Sequence, residues 1–417
     1  MVTGIIAEYN PFHNGHKLQI DYAKNTLKSD YIVVALSPDF TQRGEIAILS
    51  KYERAKIALS LGVDLVVQIP INSATDSSSG YSYGGIKMLD SLGIVDTLLF
   101  SVEDDDINLL TRIADIELNE VKLYSDTIND NMRSGMSYPS AREKAIMHLM
   151  PDVNSAILQS VLKQPNNILA IEYLKSLKLL KSDITPICMK RLFVSYHDTV
   201  ISNRIASATA VRNAICDNDF DSIRTVVPDL AFTIYKEMQN NNMFLHPDDV
   251  SQMLGYKLIE GDLSKYKDCN DELCNKIENA VSSYTGFTQF RGMLKSKDIT
   301  ETRLSRVLCH ILLNITDDLY FEENGKIYPY TPYVYILGFN DRGAELMNSV
   351  KNKCKLPYFT SYNDALSYDF CSSSIDVDKC KAVLDIDMNA TKVANVIFAG
   401  KTSFQVTPEL SRKFLKI

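Results

Sequence analysis

VTGIIAEYNPFHNGHKLQI, residues 2–20, runs from a short apolar stretch through a Glu-Tyr-Asn-Pro break into a pair of histidines three apart. Val2 to Ala7 has β character. From Lys17 to Lys28 the apolar residues fall at positions 18, 20, 23 and 27, a helical spacing. A strand that feeds a helix through His13-Asn-Gly-His16 puts two imidazoles at a helix N-terminus, where free N–H groups and the helix dipole favour phosphate. Both rings can donate to phosphate oxygens as charge builds on a reacting phosphorus, an electrostatic rather than nucleophilic role. Gly15 removes a side chain where backbone has to pass close to a nucleotide.

The same strand-then-helix unit repeats over the first hundred residues. Apolar runs at 31–36 (YIVVAL), 64–70 (DLVVQIP) and 95–101 (VDTLLFS) alternate with helical patterns at 51–62 and around 85–92. The glycine- and serine-rich stretch 72–85 reads as a loop. Such alternation predicts a parallel sheet with its ligand at the carboxyl ends of the strands, just after residues 7, 36, 70 and 100. Residues 106–180 read as mostly helical, 184–192 as one more strand, and 217–325 as almost wholly helical. Past Tyr328 come a strand at 333–339, a helix near 341–352 and an extended run at 356–361. The expected architecture is α/β. A Rossmann-like nucleotide domain over 1–220 is followed by a mainly helical domain over 221–327 and a small α/β segment over 328–417.

Composition narrows the class. The 417 residues are 45% apolar and 23% charged, which excludes a disordered chain, a collagen and a small disulfide scaffold. Net charge is −8, so nucleic-acid binding has to use a local basic patch, and no DNA partner is expected. No run of eighteen apolar residues and no basic or apolar leader occurs, which predicts a cytoplasmic protein without a membrane partner. The eight cysteines all lie beyond residue 187 and form no C-x-x-C pair, so free thiols are expected, and no residue set is nominated as a metal site.

A second motif supports the first. Ile205-Ala-Ser-Ala-Thr-Ala-Val-Arg212 puts Ser207, Thr209 and Arg212 on the first turns of a helix, with Ser207 as N-cap. Hydroxyls, N–H groups and a bidentate guanidinium suit a leaving pyrophosphate. His13, His16, Ser207, Thr209 and Arg212 are therefore the candidate catalytic residues.

The two motifs together resemble the H-x-G-H nucleotidylyltransferase superfamily. Gly4 to His16, Phe40-Thr-Gln-Arg-Gly-Glu45, Pro165 to Leu169, Lys190-Arg191, Ile205 to Arg212, 295–315 and 335–343 resemble, more narrowly, the tRNA(Met) cytidine acetate ligase family. The resemblance implies an ATP-dependent ligase. Acetate attacks the α-phosphate of ATP, giving acetyl-adenylate and pyrophosphate. The acetyl group then passes to N4 of the wobble cytidine of elongator tRNA(Met), forming N4-acetylcytidine and releasing AMP. It implies that Ala7, Glu8, Tyr9, Asn10, Pro11, Phe12, His13, Asn14, Gly15, His16, Lys17 and Ile20 wrap ATP. Ser101, Asn166, Asn167 and Arg191 complete that site, and Mg²⁺ arrives with ATP, held by side chains or by phosphates alone. Phe40 to Glu45 follows the second strand, so Gln42 or Arg43 can pair with the acetate carboxylate; an ion pair of Arg43 with Glu45 or another carboxylate is the competing use. For Asn166 and Asn167 the competing use is helix capping.

The sequence departs from the family pattern in three places. Ser101-Val102 stand where Gly-Ser is usual, Asp39 replaces Asn, which is expected to add negative charge beside an anion site, and the loop 72–85 differs from the usual Ala/Ser-Phe-Ala stretch. For RNA, Arg291, Lys295, Lys297, Arg303 and Arg306 outnumber nearby acids, and Arg303 and Arg306 share a helix face. Two alternatives stand beside the ligase: a nucleotidylyltransferase acting on a small metabolite, and a non-catalytic, nucleotide-gated RNA-binding protein.

Overall fold

The computed structural model describes residues 1–119, 122–191, 205–296, 299–323, 325–370, 376–402 and 404–417. Its strands are β1 (Val2–Ala7), β2 (Tyr31–Leu36), β3 (Leu65–Gln68), β4 (Thr97–Val102), β5 (Thr185–Lys190), β6 (Tyr320–Glu323), β7 (Lys326–Pro329), β8 (Val334–Phe339), β9 (Tyr358–Phe359) and β10 (Leu415–Lys416). An eight-stranded sheet runs in the order β10-β8-β3-β2-β1-β4-β5, with β9 on the outer part of β8, while β6 and β7 form a separate hairpin. From β3 to β5 every pairing is parallel, and β8 joins β3 antiparallel. The order reverses at β1, whose neighbours are β2 on one side and β4 on the other. This switch point opens a crevice at the carboxyl ends of the strands.

Alternation along each strand sorts the core. Ile32, Val34 and Leu36 face one side of the sheet, and Val33 and Ala35 face the other, all fully buried. The first face shares a continuous apolar core with the helical segment, through residues such as Phe220, Tyr235, Phe290, Leu304 and Leu308. The second is covered by the helices Ser78–Ser91, Ile107–Asn119 and Pro165–Leu179. The segment 328–417 is α/β, and its strands continue the main sheet.

The stretch 72–85, read as a loop, is instead largely helical. Ile71–Ala74 forms one turn, and Ser77 caps the helix Ser78–Ser91 by accepting from the Gly80 N–H. The glycines that weaken its intrinsic propensity serve packing: a Cβ on Gly85 would sit 2.8 Å from Ile6 of β1. None of the helices among the described residues is long and apolar enough to cross a membrane. The seven described cysteines are free, and Cys371 lies outside the described residues.

A buried ionic network closes the sheet against the C-terminal region. The Lys51 ammonium, fully buried, lies 2.9 Å from Glu409 Oε1 and donates at 2.9 Å to Gln68 and Thr391. Asp39 belongs to this network. One of its oxygens accepts from the Lys51 N–H and the other from Thr391 Oγ1. The expected negative charge beside the anion site is thus turned away from the crevice and faces buried cations. Lys51→Met should cost about 3–5 kcal/mol in urea unfolding, because buried Glu409 then keeps only the Tyr52 hydroxyl and a 3.9 Å contact with Arg412. Lys51→Met with Glu409→Gln should recover part of that loss; strictly additive losses would mean the two groups are not coupled.

Candidate active site

A cavity of about 230 Å³ opens at the switch point, lined by residues from β1, β4, β5 and the starts of three helices. His13 caps the helix Asn14–Asn25. Its Nδ1 accepts from the Gly15 N–H at 3.0 Å, and its own N–H donates to His16 Nδ1 at 3.2 Å. These backbone bonds set the tautomers. With each Nδ1 accepting, the ring proton of each neutral imidazole resides on Nε2, the nitrogen left to donate to a ligand. The rings stack, 3.8 Å between centroids and 22° between planes. Burial, with Arg191 and Arg212 nearby, pulls His13 down to about 3. Burial, His13 and Arg191 hold His16 well below its ordinary value. The pair therefore enters the ligand-free site as two neutral donors.

The second motif meets the first across the crevice. Ser207 caps the helix Ala208–Cys216, its Oγ accepting from the Ala210 N–H at 3.0 Å. Arg212 donates to Thr209 Oγ1 at 3.0 Å and to the Asn10 carbonyl at 2.5 Å. Arg191 extends β5, its N–H bonded to the Val102 carbonyl, and its guanidinium reaches Asn166 Oδ1 at 3.5 Å. All five proposed catalytic side chains, with Ala7, Glu8, Tyr9, Asn10, Gly15, Ser101, Asn166 and Arg191, line one cavity. Lys190 points outward and pairs with Asp105.

Other residues of the opening motif act behind the wall. Phe12 and Ile20 are buried in the core; Lys17 pairs with Asp21; Asn14 bonds to the carbonyls of Thr225 and Val226; Pro11 follows a cis peptide bond. Asn167 is fully buried and accepts from the N–H groups of Glu103 and Asp104, so it ties the loop after β4 to the helix Pro165–Leu179 rather than capping that helix. None of these lines the cavity.

The turn after β2 forms the opposite wall. Thr41, Gln42, Arg43 and Glu45 line the cavity, and the Gln42 side chain donates to the Asp76 carbonyl at 3.2 Å. Glu45 pairs with Arg291 rather than Arg43, and Arg291 also donates to Ser305 Oγ. Gly44, at φ +73°, seats the turn on the helix Glu301–Leu313: a Cβ there would lie 2.4 Å from the Arg306 backbone nitrogen. The basic segment is thus partly spent inside the fold. Arg291 is tied to Glu45, and Arg306 is half-buried, with an Nε that has no hydrogen-bond partner among the described residues. Lys295 is exposed and paired with Glu301, Arg303 is half-exposed, and Lys297 lies outside the described residues.

Sequence reasoning passed over two features. Tyr81 and Tyr173 form the inner wall beside Phe100, the Tyr173 and Phe100 rings 5.7 Å apart. Each looks like an ordinary core aromatic in its own helix. Arg54, fully buried, gives every donated bond to a backbone carbonyl: Leu49, Glu8, Ser37 and Pro38. Nothing in KYERAKIALS distinguishes it from a surface cation.

No group of three or more His, Cys, Asp or Glu suited to a metal occurs among the described residues. Two Nε2–H donors, two guanidiniums and two helix starts fit a nucleotide polyphosphate; a Mg²⁺ would be held there chiefly through phosphate oxygens.

Neutral histidines have a signature in stability. In the unfolded chain an imidazole takes a proton below 6.5, whereas folded His13 stays neutral until about 3. The unfolded state then binds more protons, so this stability is whole above 6.5 and is lost as pH falls towards 3. His13→Asn keeps an acceptor for the Gly15 N–H. In urea titrations without ligand, wild-type stability should fall more steeply than the variant's across that window, by up to about 1.4 kcal/mol per pH unit.

Comparison with known proteins agrees with this fold. A family model described as HIGH Nucleotidyl Transferase matches residues 1–408. The tRNA(Met) cytidine acetate ligase of Thermoanaerobacter sp. (strain X514) is 36% identical over 371 residues, covering 88% of this chain and 90% of that protein. The tRNA(Met) cytidine acetate ligase of Clostridium perfringens (strain ATCC 13124) is 34% identical over 399 residues, 94% of each chain. The crystal structure of Thermotoga maritima TmcAL in its apo form superposes with a TM-score of 0.89 at 27% identity over the full length of both chains. The same protein bound with alpha-thio ATP gives 0.86. With the paired histidines, the Ser-x-Thr-x-x-Arg helix and the match along nearly its whole length, the chain belongs to the tRNA(Met) cytidine acetate ligase family of HIGH nucleotidyl transferases.

Proposed function

We propose that the protein activates acetate with ATP and transfers the acetyl group to N4 of the wobble cytidine of elongator tRNA(Met). The observation that carries this reading is the convergence of His13, His16, Arg191 and Arg212 on one cavity beside the Thr41–Glu45 turn. A triphosphate on one side and a small carboxylate on the other account for that division. In the first step an acetate oxygen attacks the α-phosphorus and pyrophosphate leaves. The Nε2–H groups of His13 and His16 donate to the α-phosphate oxygens as their charge rises, without ionising first. Ser207, Thr209 and Arg212 hold the leaving pyrophosphate. Ser101, Asn166 and Arg191 contact the rest of the nucleotide, and Mg²⁺ accompanies the phosphates.

Gln42 and Arg43 both line the cavity, and either would pair with the acetate carboxylate. The tRNA would be met by the exposed edge of the helical segment carrying Lys295 and Arg303, in a cytoplasmic enzyme. Arg291 and Arg306 support that edge from within.

The test supplies labelled acetate, ATP, Mg²⁺ and unmodified tRNA(Met), followed by digestion to nucleosides. Label should appear in N4-acetylcytidine and require ATP. His16→Ala should slow pyrophosphate release by on the order of 10²-fold, the usual cost of losing one charge-stabilising donor. Lys295→Glu with Arg303→Glu should weaken tRNA binding and leave ATP affinity intact. Pyrophosphate release with no label in RNA would instead mean a small-molecule acceptor; tRNA retention with no turnover would mean a binding protein.

A further inference from the structure

The cavity holds a carboxylate that anion binding does not explain. Glu8 follows β1 directly and lines the cavity half-buried. Its backbone carbonyl is fixed by Arg54 at 2.7 Å, and its Oε1 accepts from the Gln42 N–H at 2.9 Å. It forms no ion pair among the described residues, although Arg43, Arg191 and Arg212 line the same space. The other cavity carboxylate, Glu45, is neutralised by Arg291. A site for a triphosphate and a carboxylic acid is weakened by an unpaired negative charge, so such a charge points to chemistry that needs a proton acceptor. Its place fits: Glu8 lies between the phosphate-facing histidines and the turn seated on the helix Glu301–Leu313.

Building on the acetate ligase reading above, we infer that Glu8 is the general base of the second step. The exocyclic amine of cytosine is a poor nucleophile because its lone pair is delocalised into the ring. As N4 attacks the acetyl carbonyl carbon, the C–N bond forms and the bond from that carbon to the phosphate oxygen breaks. AMP leaves with the electron pair, and the N4 proton passes to the Glu8 carboxylate. No oxidant, reductant or further reactant is required. The Gln42 N–H keeps one carboxylate oxygen fixed, and the other is left to accept.

The full-length protein and Glu8→Gln separate the two steps. Acetate-dependent ATP–pyrophosphate exchange reports the first; single-turnover transfer from synthetic acetyl-adenylate to unmodified tRNA(Met) reports the second. Glu8→Gln should slow transfer by on the order of 10²–10⁴-fold beyond any change in exchange. Glu8→Asp should restore part of the transfer rate. Transfer that falls in Glu8→Gln while exchange keeps near the wild-type rate is a split that a packing defect would not produce. Transfer at the wild-type rate in Glu8→Gln would overturn the inference, as would equal loss of exchange and transfer, which would place Glu8 in the first step. Wild-type protein that forms acetyl-adenylate but acetylates no RNA would overturn the ligase reading itself, and the inference with it.

Discussion

The guanidinium of Arg54 fixes the geometry on which the site is built. Strands β1 and β2 end side by side, and the carbonyls that follow them run beyond the sheet ladder with no strand to satisfy them. Arg54 gathers those of Glu8, Ser37 and Pro38, together with Leu49 at the entry to its own helix. Burying a cation this way is costly, and burial lowers its pKa to about 10, yet it stays charged at neutral pH. Four charge-assisted hydrogen bonds offset that cost, and they hold the next residue, Tyr9, in the left-handed region at φ +48°. From the far side Arg212 takes the carbonyl of Asn10. Glu8, Tyr9 and Asn10 are therefore held between two guanidiniums, and the histidines that follow inherit a fixed origin.

That frame explains why neutral imidazoles serve where charged ones would appear stronger. Two imidazoliums stacked at 3.8 Å would repel each other, and both already lie in the field of Arg191 or Arg212. Permanent charge comes from the arginines. Direction comes from the histidines, whose backbone-locked Nδ1 atoms commit each Nε2–H to the ligand. In the reaction proposed here, donors aimed in advance at developing charge need no reorganisation when that charge forms.

The nucleotide half of this design was legible because its chemistry is local in sequence. His13 to His16 and Ser207 to Arg212 each occupy one helix start, and the alternation of apolar runs with helical spacing places those starts at the ends of strands. What could not be read depends on partners far away in the chain. Arg54 and Tyr81 look like any cation or core aromatic in a helix. The helix over 78–91 is concealed by glycines that only its contact with Ile6 explains. Asp39 reads as a charge beside the anion site until Lys51 and Thr391 are seen to hold it away from the crevice. Arg291 and Arg306 illustrate the reverse error, since a count of basic residues cannot tell which of them already face inward.

Those two arginines change what the helical segment is for. Within its own half of the chain the Thr41–Glu45 turn is held by a Phe40–Ile46 bridge, by bonds among Thr41, Gly44 and Glu45, and by Gln42 on Glu8 and Asp76. The helical segment braces its other side, through Gly44 against the backbone at Arg306 and through Glu45 on Arg291, which also holds Ser305. One wall of the cavity therefore leans on a part of the chain more than 240 residues downstream of the turn. Residues 1–220 alone would retain the histidines and the helix starts but lose the backing of the surface opposite them. The same helices that present Lys295 and Arg303 to solvent thus complete the cavity from behind, so the outer face and the reacting centre share one rigid support.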